Sequence, residues 1–348
     1  MNSSCMIAPL PDFGHLARMT DHRGLFEHAD RTTPRLEHGY CTDDLARLLV
    51  VASREPDPDP VVCGLAQTAL RFLLDAQGGT GDCHNRMNDR GRWQDHRSVD
   101  DCWGRSLWGL GTAAARSPDN TVRQLALAYF ERGTEQRSRW PRAMAFAVLG
   151  ATEVTAARPG HRQALSLLAD AVGIIGGGRT KSDPTWPWPE PRLTYANAVL
   201  PDAMIAAGVA LQRKSLRDEG LELLGWLLDH ETTGGHLSVT PVGGSGPGDP
   251  RPAFDQQPIE VAALADACAR AATLTGSERW VAGLDAAVAW FLGANDGGTP
   301  MWDPDTGGGY DGLLASGPNL NQGAESTLAL VSTLQHGRRL AAVGSIGV

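Results

Sequence analysis

The sequence contains no run of about 18 apolar residues, so it offers no membrane-spanning helix. It has no basic stripe either. Acidic residues number 40 against 31 basic ones, for a net charge of −9, which argues against a nucleic-acid partner. The opening MNSSCMIAPLPDFGHLARMT has no basic stretch followed by an apolar one, so no signal peptide is expected and the cytoplasm is the expected compartment. Cysteine is sparse. Cys5, Cys41, Cys63, Cys83, Cys102 and Cys268 are scattered without a CxxC, which predicts reduced thiols rather than a disulfide framework. The ten histidines form no HExxH and show no zinc spacing, so neither a metal nor a cofactor is expected. The glycines of TGGGYDG lack the following Lys-Ser/Thr of a phosphate-binding loop and predict a flexible loop over a cleft. Strand signals are few, with GGHLSVT at 234–240 the one candidate. No long low-complexity linker divides the chain, so 1–348 reads as a single domain.

Helical periodicity, by contrast, is abundant. Apolar spacing predicts helices over 42–54, 60–77, 98–115, 120–135, 140–157, 161–175, 192–213, 215–229, 257–275, 277–292 and 324–341. Thr42 before Asp43 and Asp44, Ser98 before Asp100 and Asp101, and Pro258 before Glu260 mark starts. The helices form two alternating sets. Those starting near 42, 98, 140, 192, 257 and 324 are rich in small residues and suited to being surrounded. Those starting near 60, 120, 161, 215 and 277 are amphipathic, with one charged face for solvent. Six inner and five outer helices predict an all-α fold, an (α/α)6 barrel, in which the N-terminal segment closes the ring. An open α-solenoid is the competing arrangement.

In such a barrel the connections leading into the inner helices share one end. Here they are the elaborate ones: HGYCTDD, WQDHRSVDDCWGR, TWPWPEPRLTYAN, FDQQPIE and YDGLLASGPNLNQGAES. One elaborate face and one plain face predict binding at the elaborate one. Acids recur at the inner-helix starts: Asp43 and Asp44, Asp100 and Asp101, Glu260, and Glu325. A lone acid at a helix start is ordinarily a dipole partner worth about 0.3–1 kcal/mol. Acids at four starts around one mouth are what glycoside cleavage requires, a carboxylic acid for the leaving oxygen and a carboxylate for water or carbon. Asp44, Asp101 and Glu260 lead as working carboxylates, with Asp43, Asp100 and Glu325 close behind. Asp101 or Glu260 would be the acid. Inverting chemistry, with carboxyls about 6.5–9.5 Å apart, suits a wide cleft.

Arg47 and Arg105 each lie about a turn below an Asp pair and are placed to orient carboxylates. Six of ten tryptophans, among them Trp103, Trp186 and Trp188, fall in or beside these loops, and the pair flanking Pro187 is the best candidate for stacking on a sugar face. His38 and Tyr40, Asn197, Asp255, Gln257 and Asn321 supply further groups for hydroxyls.

These residues carry a resemblance. The chain resembles the six-hairpin glycosidase superfamily. GLFEHADRTTPRLEHGYCTDDLAR looks like the GYCTDD-type motif of bacterial helical domains associated with glycosyltransferases and mannoside-processing enzymes. The likeness extends through WPWPEPRLTYANAVLP, DQQPIE and NQGAES. It implies an (α/α)6 barrel acting on an oligosaccharide or glycoside, without assigning a catalytic pair. A glycoside hydrolase is the first expectation. A sugar epimerase or isomerase of the same fold is the second, and a non-catalytic glycan-binding domain the third. The sequence leaves the oligomeric state open.

Overall fold

The computed structural model describes residues 8–176, 185–250 and 253–346. Cys5 and the first seven residues of the opening segment lie outside the described residues. The helices in chain order are α1 (Gly14–Arg18), α2 (Thr42–Arg54), α3 (Pro60–Ala76), α4 (Asp101–Arg116), α5 (Asn120–Gly133), α6 (Pro141–Ala157), α7 (Arg162–Ile175), α8 (Val199–Ala210), α9 (Lys214–His230), α10 (Pro258–Thr275), α11 (Glu278–Phe291) and α12 (Ala324–Ile346).

The small-residue helices make the inner ring. α2 packs on α4, α4 on α6, α6 on α8, α8 on α10, α10 on α12, and α12 returns to α2, so the ring closes. α3, α5, α7, α9 and α11 cover α2, α4, α6, α8 and α10 in turn. The sixth outer position is taken by the N-terminal segment. α1 packs on α12, and His15 Nε2 lies 2.7 Å from the Gln322 carbonyl just before that helix. The structure is an (α/α)6 barrel.

Local chemistry explains the elements. Asp59 caps α3 by accepting from the Val62 amide, and Asp119 caps α5 by accepting from the Thr121 amide. Prolines open α3, α6 and α10, where a missing N–H costs nothing. The inner helices need small residues because their backbones nearly touch. A Cβ on Gly111 would fall 2.3 Å from the Gly150 carbonyl oxygen, and one on Gly150 would fall 2.1 Å from the Leu107 oxygen.

Several boundaries differ from expectation: the helix predicted over 98–115 begins at Asp101, and the one predicted over 324–341 runs to Ile346. The helix predicted over 192–213 begins only at Val199. Before it, Leu193 bridges to Ser245, and Ala196 takes a left-handed φ of 45°. The amides of Ala196 and Asn197 donate to the Glu260 carboxylate, which withdraws them from a helix. The strand expected over 234–240 shrinks to His236–Leu237, paired with Thr232–Thr233 in a two-stranded hairpin. The other paired strands, also in two-stranded ribbons, decorate the connecting loops. No described helix is long and apolar enough to cross a membrane.

The inner helices run parallel, so their N-termini share one mouth of the barrel and their C-termini the other. Between the mouths the axis narrows to an apolar waist containing Val50, Trp108, Phe146 and Ile259, with about 50 Å³ of free volume.

Candidate functional site

Arg47 is the centre of the N-terminal mouth. It projects from the first turns of α2 and is buried. Its Nη2 donates to Asp44 Oδ1 at 2.5 Å, and its Nη1 lies 2.8 Å from Glu325 Oε2 on α12. One guanidinium thus holds carboxylates from two helices that are far apart in the chain and adjacent in the ring. Asp44 is 2 % exposed, whereas the Glu325 side chain is 43 % exposed. Burial pushes the Asp44 carboxyl up to about 7, against the pull of Arg47 and with the help of Glu325 and Glu27. Asp44 is therefore a carboxyl that exchanges its proton near neutrality, beside a water-accessible carboxylate. A cavity of about 280 Å³ opens over them, lined also by Glu27, His28, Asp43, Arg86 and Gln257.

A second guanidinium lies alongside. Arg105 of α4 is buried, with its carbon centre 4.1 Å above the Phe146 ring. Its Nε is 3.7 Å from Asp43 Oδ1, and its Nη2 is 3.9 Å from Asp101 Oδ2. Asp101 also accepts from the Tyr195 hydroxyl at 2.7 Å. Burial and this carboxylate raise the Tyr195 phenol, which stays protonated as a donor. Asp43 Oδ1 is buried and lacks a hydrogen-bond partner among the described residues. The mouth therefore gathers Asp43, Asp44, Asp101 and Glu325 around Arg47 and Arg105.

Glu260 does not join them. It is buried and accepts from the Ala196 amide, from the Asn197 amide at 3.1 Å, and from Asn197 Nδ2 at 3.0 Å. Asn197 Oδ1 in turn takes bonds from Arg142 Nη2 at 3.1 Å and the Thr194 amide at 2.9 Å. Burial lifts the Glu260 carboxyl well above the usual carboxylate range, and these donors and Arg142 hold it back. Glu260 and Asn197 fix the turn that carries Tyr195 over the mouth. Both were expected in the cleft itself.

Other expectations need correction. Tyr40 is 1 % exposed, stacked on Phe26, and donates to Asp21. Trp103 is fully buried and donates to the Gly133 carbonyl at 3.0 Å. Both belong to the core, because a large ring one turn into a tightly packed inner helix, or beside it, has no path to solvent. Trp188 is buried and stacks on Trp226, while Trp186 meets Trp226 edge-on beside a separate cavity of about 300 Å³. The indoles flanking Pro187 thus build a cluster over α9 instead of lining the acid-rich mouth. Asp100 is exposed at the N-cap of α4, and Asp255 is exposed on the loop before α10. His38 is exposed and packs edge-on against His28, which is the imidazole that lines the cavity. Asn321 accepts from the Arg31 amide and ties two loops together. Gln257 lines the cavity.

Sequence reasoning missed Glu27, His28 and Arg86. Glu27 hydrogen-bonds Arg86 and faces Asp44 across the cavity. Its signal was its place in the GLFEHAD run, in a loop that precedes no inner helix directly. Glu27, Cys41 and Asp44 bring one ligand atom each to within 4.8 Å of one another. Burial pushes the Cys41 thiol up, and both carboxylates are matched by arginines. A cation there would have to displace two guanidinium groups and a proton, so the donor set fits a metal poorly.

A closed inner ring of helices, each covered by an outer element, gives the chain the (α/α)6-barrel fold. Solved structures bear this out. The chain is similar to a sugar epimerase from a ruminal bacterium, with TM-score 0.72 and 12 % identity over 97 % of this chain and 95 % of that one. It is similar to the cellobiose 2-epimerase of Spirochaeta thermophila DSM 6192, with TM-score 0.66 and 14 % identity over 94 % and 93 %. It is also similar to a GH76 alpha-mannanase of Bacteroides thetaiotaomicron, with TM-score 0.62 and 9 % identity over 92 % and 91 %. No protein-family profile and no curated protein sequence matches the chain.

Proposed function

We propose that this protein is a carbohydrate-active enzyme, a glycoside hydrolase whose working carboxylates are Asp44 and Glu325. The observation that carries the reading is the Arg47 bridge between them. A general acid must be protonated at the working pH, and Asp44, with its carboxyl raised to about 7, meets that need. A base must reach water, and Glu325 is the exposed member of the pair. Arg47, 2.8 Å away, fixes its position. In this reading Asp44 protonates the glycosidic oxygen, and Glu325 removes a proton from water as it attacks the anomeric carbon. Asp43 and Asp101, steadied by Arg105 and Tyr195, accept hydrogen bonds from hydroxyls, and His28 and Gln257 complete the wall. Glu260 acts only through the loop it positions.

Epimerisation or isomerisation is the second reading. His28 lines the same cavity, and a carboxyl poised near pH 7 also suits proton removal beside a sugar carbonyl. Incubation with aryl glycosides and with manno-, gluco- and arabino-oligosaccharides in deuterium oxide separates the two. Hydrolysis yields new reducing ends without deuterium at carbon 2. Epimerisation yields deuterium there with the glycosidic bond intact. Glu325→Gln abolishes whichever activity appears. Full activity in that variant would overturn the assignment.

A further inference from the structure

The plain mouth, at the C-terminal ends of the inner helices, is not empty of chemistry. It opens into a cavity of about 920 Å³, separate from the site above and larger than it. Four arginines line it: Arg54, Arg116, Arg270 and Arg339. Arg54 is paired with Asp266 at 2.9 Å, Arg116 with Glu153 at 2.7 Å, and Arg270 with Asp202 at 2.5 Å. Arg339 has no carboxylate partner among the described residues; its Nη2 donates to the Arg54 carbonyl oxygen.

Helix dipoles explain part of this. Arg54 and Arg116 sit in the last turns of α2 and α4, where a cation offsets exposed carbonyls. That reason does not reach Arg339, because α12 runs on to Ile346. Arg339 stands about two turns short of the end, beside two other guanidinium groups. Desolvation and repulsion from Arg54 and Arg116 lower its affinity for its proton, against the weaker pull of Glu153 and Glu55. Among the described residues no carboxylate pairs directly with Arg339; Glu153 and Glu55 act on it only at longer range. Asp266 is spent on Arg54, on His336 Nε2 at 2.5 Å and on Ser332 at 3.2 Å. Burial holds the His336 ring toward its neutral form. The remaining wall is partly apolar, with Leu165, Ala206, Val209, Ala210 and Leu274.

We infer that this second cavity binds an organic anion, its phosphate or carboxylate head held by Arg339 with Arg116 and its partly apolar body against α7, α8 and α10. The volume far exceeds an inorganic ion, and the arginine fork is suited to either head group. The Arg54–Asp266–His336 group and the narrow apolar waist lie between this cavity and the carboxylate mouth, so this ligand is distinct from the glycoside.

The test uses the full chain with inorganic phosphate and citrate as probes, by isothermal titration. Saturable binding of either is expected, weakened roughly tenfold, ~1.4 kcal/mol, in Arg339→Gln. Arg339 is the variant of choice because its removal strands no carboxylate. As an independent measure, saturating probe slows modification of Arg339 and Arg116 by phenylglyoxal, mapped by mass spectrometry. Asp44→Asn and Glu325→Gln leave both readouts unchanged, which separates this site from the proposed glycoside site. No saturable binding of either probe, or equal binding in a folded Arg339→Gln protein, would overturn the inference.

Discussion

Arg47 and Asp44 stand three residues apart on α2, with guanidinium and carboxylate 2.5 Å apart at the floor of the barrel mouth. Through its other terminal nitrogen the same arginine reaches Glu325, so a local helix pair becomes a link across the seam where the ring closes. The same side chain therefore takes part both in the site and in the contact between α12 and α2.

Stability should carry the imprint of Asp44. Burial raises its carboxyl from 3.8 to about 7, so the folded chain holds this proton more tightly than the unfolded chain. The stability this group contributes is full below the lower value and is lost as pH rises through the upper one. Asp44→Asn removes the titration. Urea unfolding from pH 4 to 8 should show wild-type stability falling relative to the variant across that window, by on the order of 4 kcal/mol at most. A pH-independent difference between the two would show that Asp44 is not held in this way.

Glu260 should behave as a positioning residue. Its carboxylate accepts from two backbone amides and the Asn197 side chain. Glu260→Gln turns an –NH2 group toward donors and costs about 2 kcal/mol or more. Hydrogen exchange should quicken over residues 193–198, and KM should rise as Tyr195 loses its support. Unchanged exchange there would remove Glu260 from this role.

The seam between α4 and α6 admits no added atoms. Gly150→Ala places a Cβ against the Leu107 carbonyl and should cost ~2–3 kcal/mol by forcing the helices apart. The same change at Gly173, whose Cβ would meet nothing within 4 Å, should be neutral or stabilising. Equal effects at the two positions would contradict the close packing of the inner ring.

Much of this was legible in the sequence because helical period and side-chain size report burial directly. The alternation of small-residue and amphipathic helices gave the ring, and the shortfall of one outer helix pointed to the N-terminal segment that α1 now supplies. The site was legible where an acid stands in the first turn of an inner helix with an arginine a turn away, as in Asp44 and Arg47 or Asp101 and Arg105. Periodicity carries no information about what a polar group faces. Glu260 and Glu325 open apolar helices in the same way, yet one captures a neighbouring loop and the other meets solvent. Trp103 and Tyr40 sit in acid-rich segments and still point into the core, since a loop's composition does not fix the direction of a ring. Glu27 and Arg86 escaped notice because their partnership spans two loops that no local pattern connects.

The most direct test of the account is the rate of glycoside turnover by the wild type and Asp44→Asn between pH 5 and pH 9, on the substrate that a glycoside panel selects. The account predicts a wild-type rate that falls as the pH passes about 7, where Asp44 gives up its proton, and a folded variant slower by about 100-fold or more below that pH, with the gap narrowing toward pH 9. A folded Asp44→Asn protein with the wild-type rate and the wild-type pH profile would contradict it.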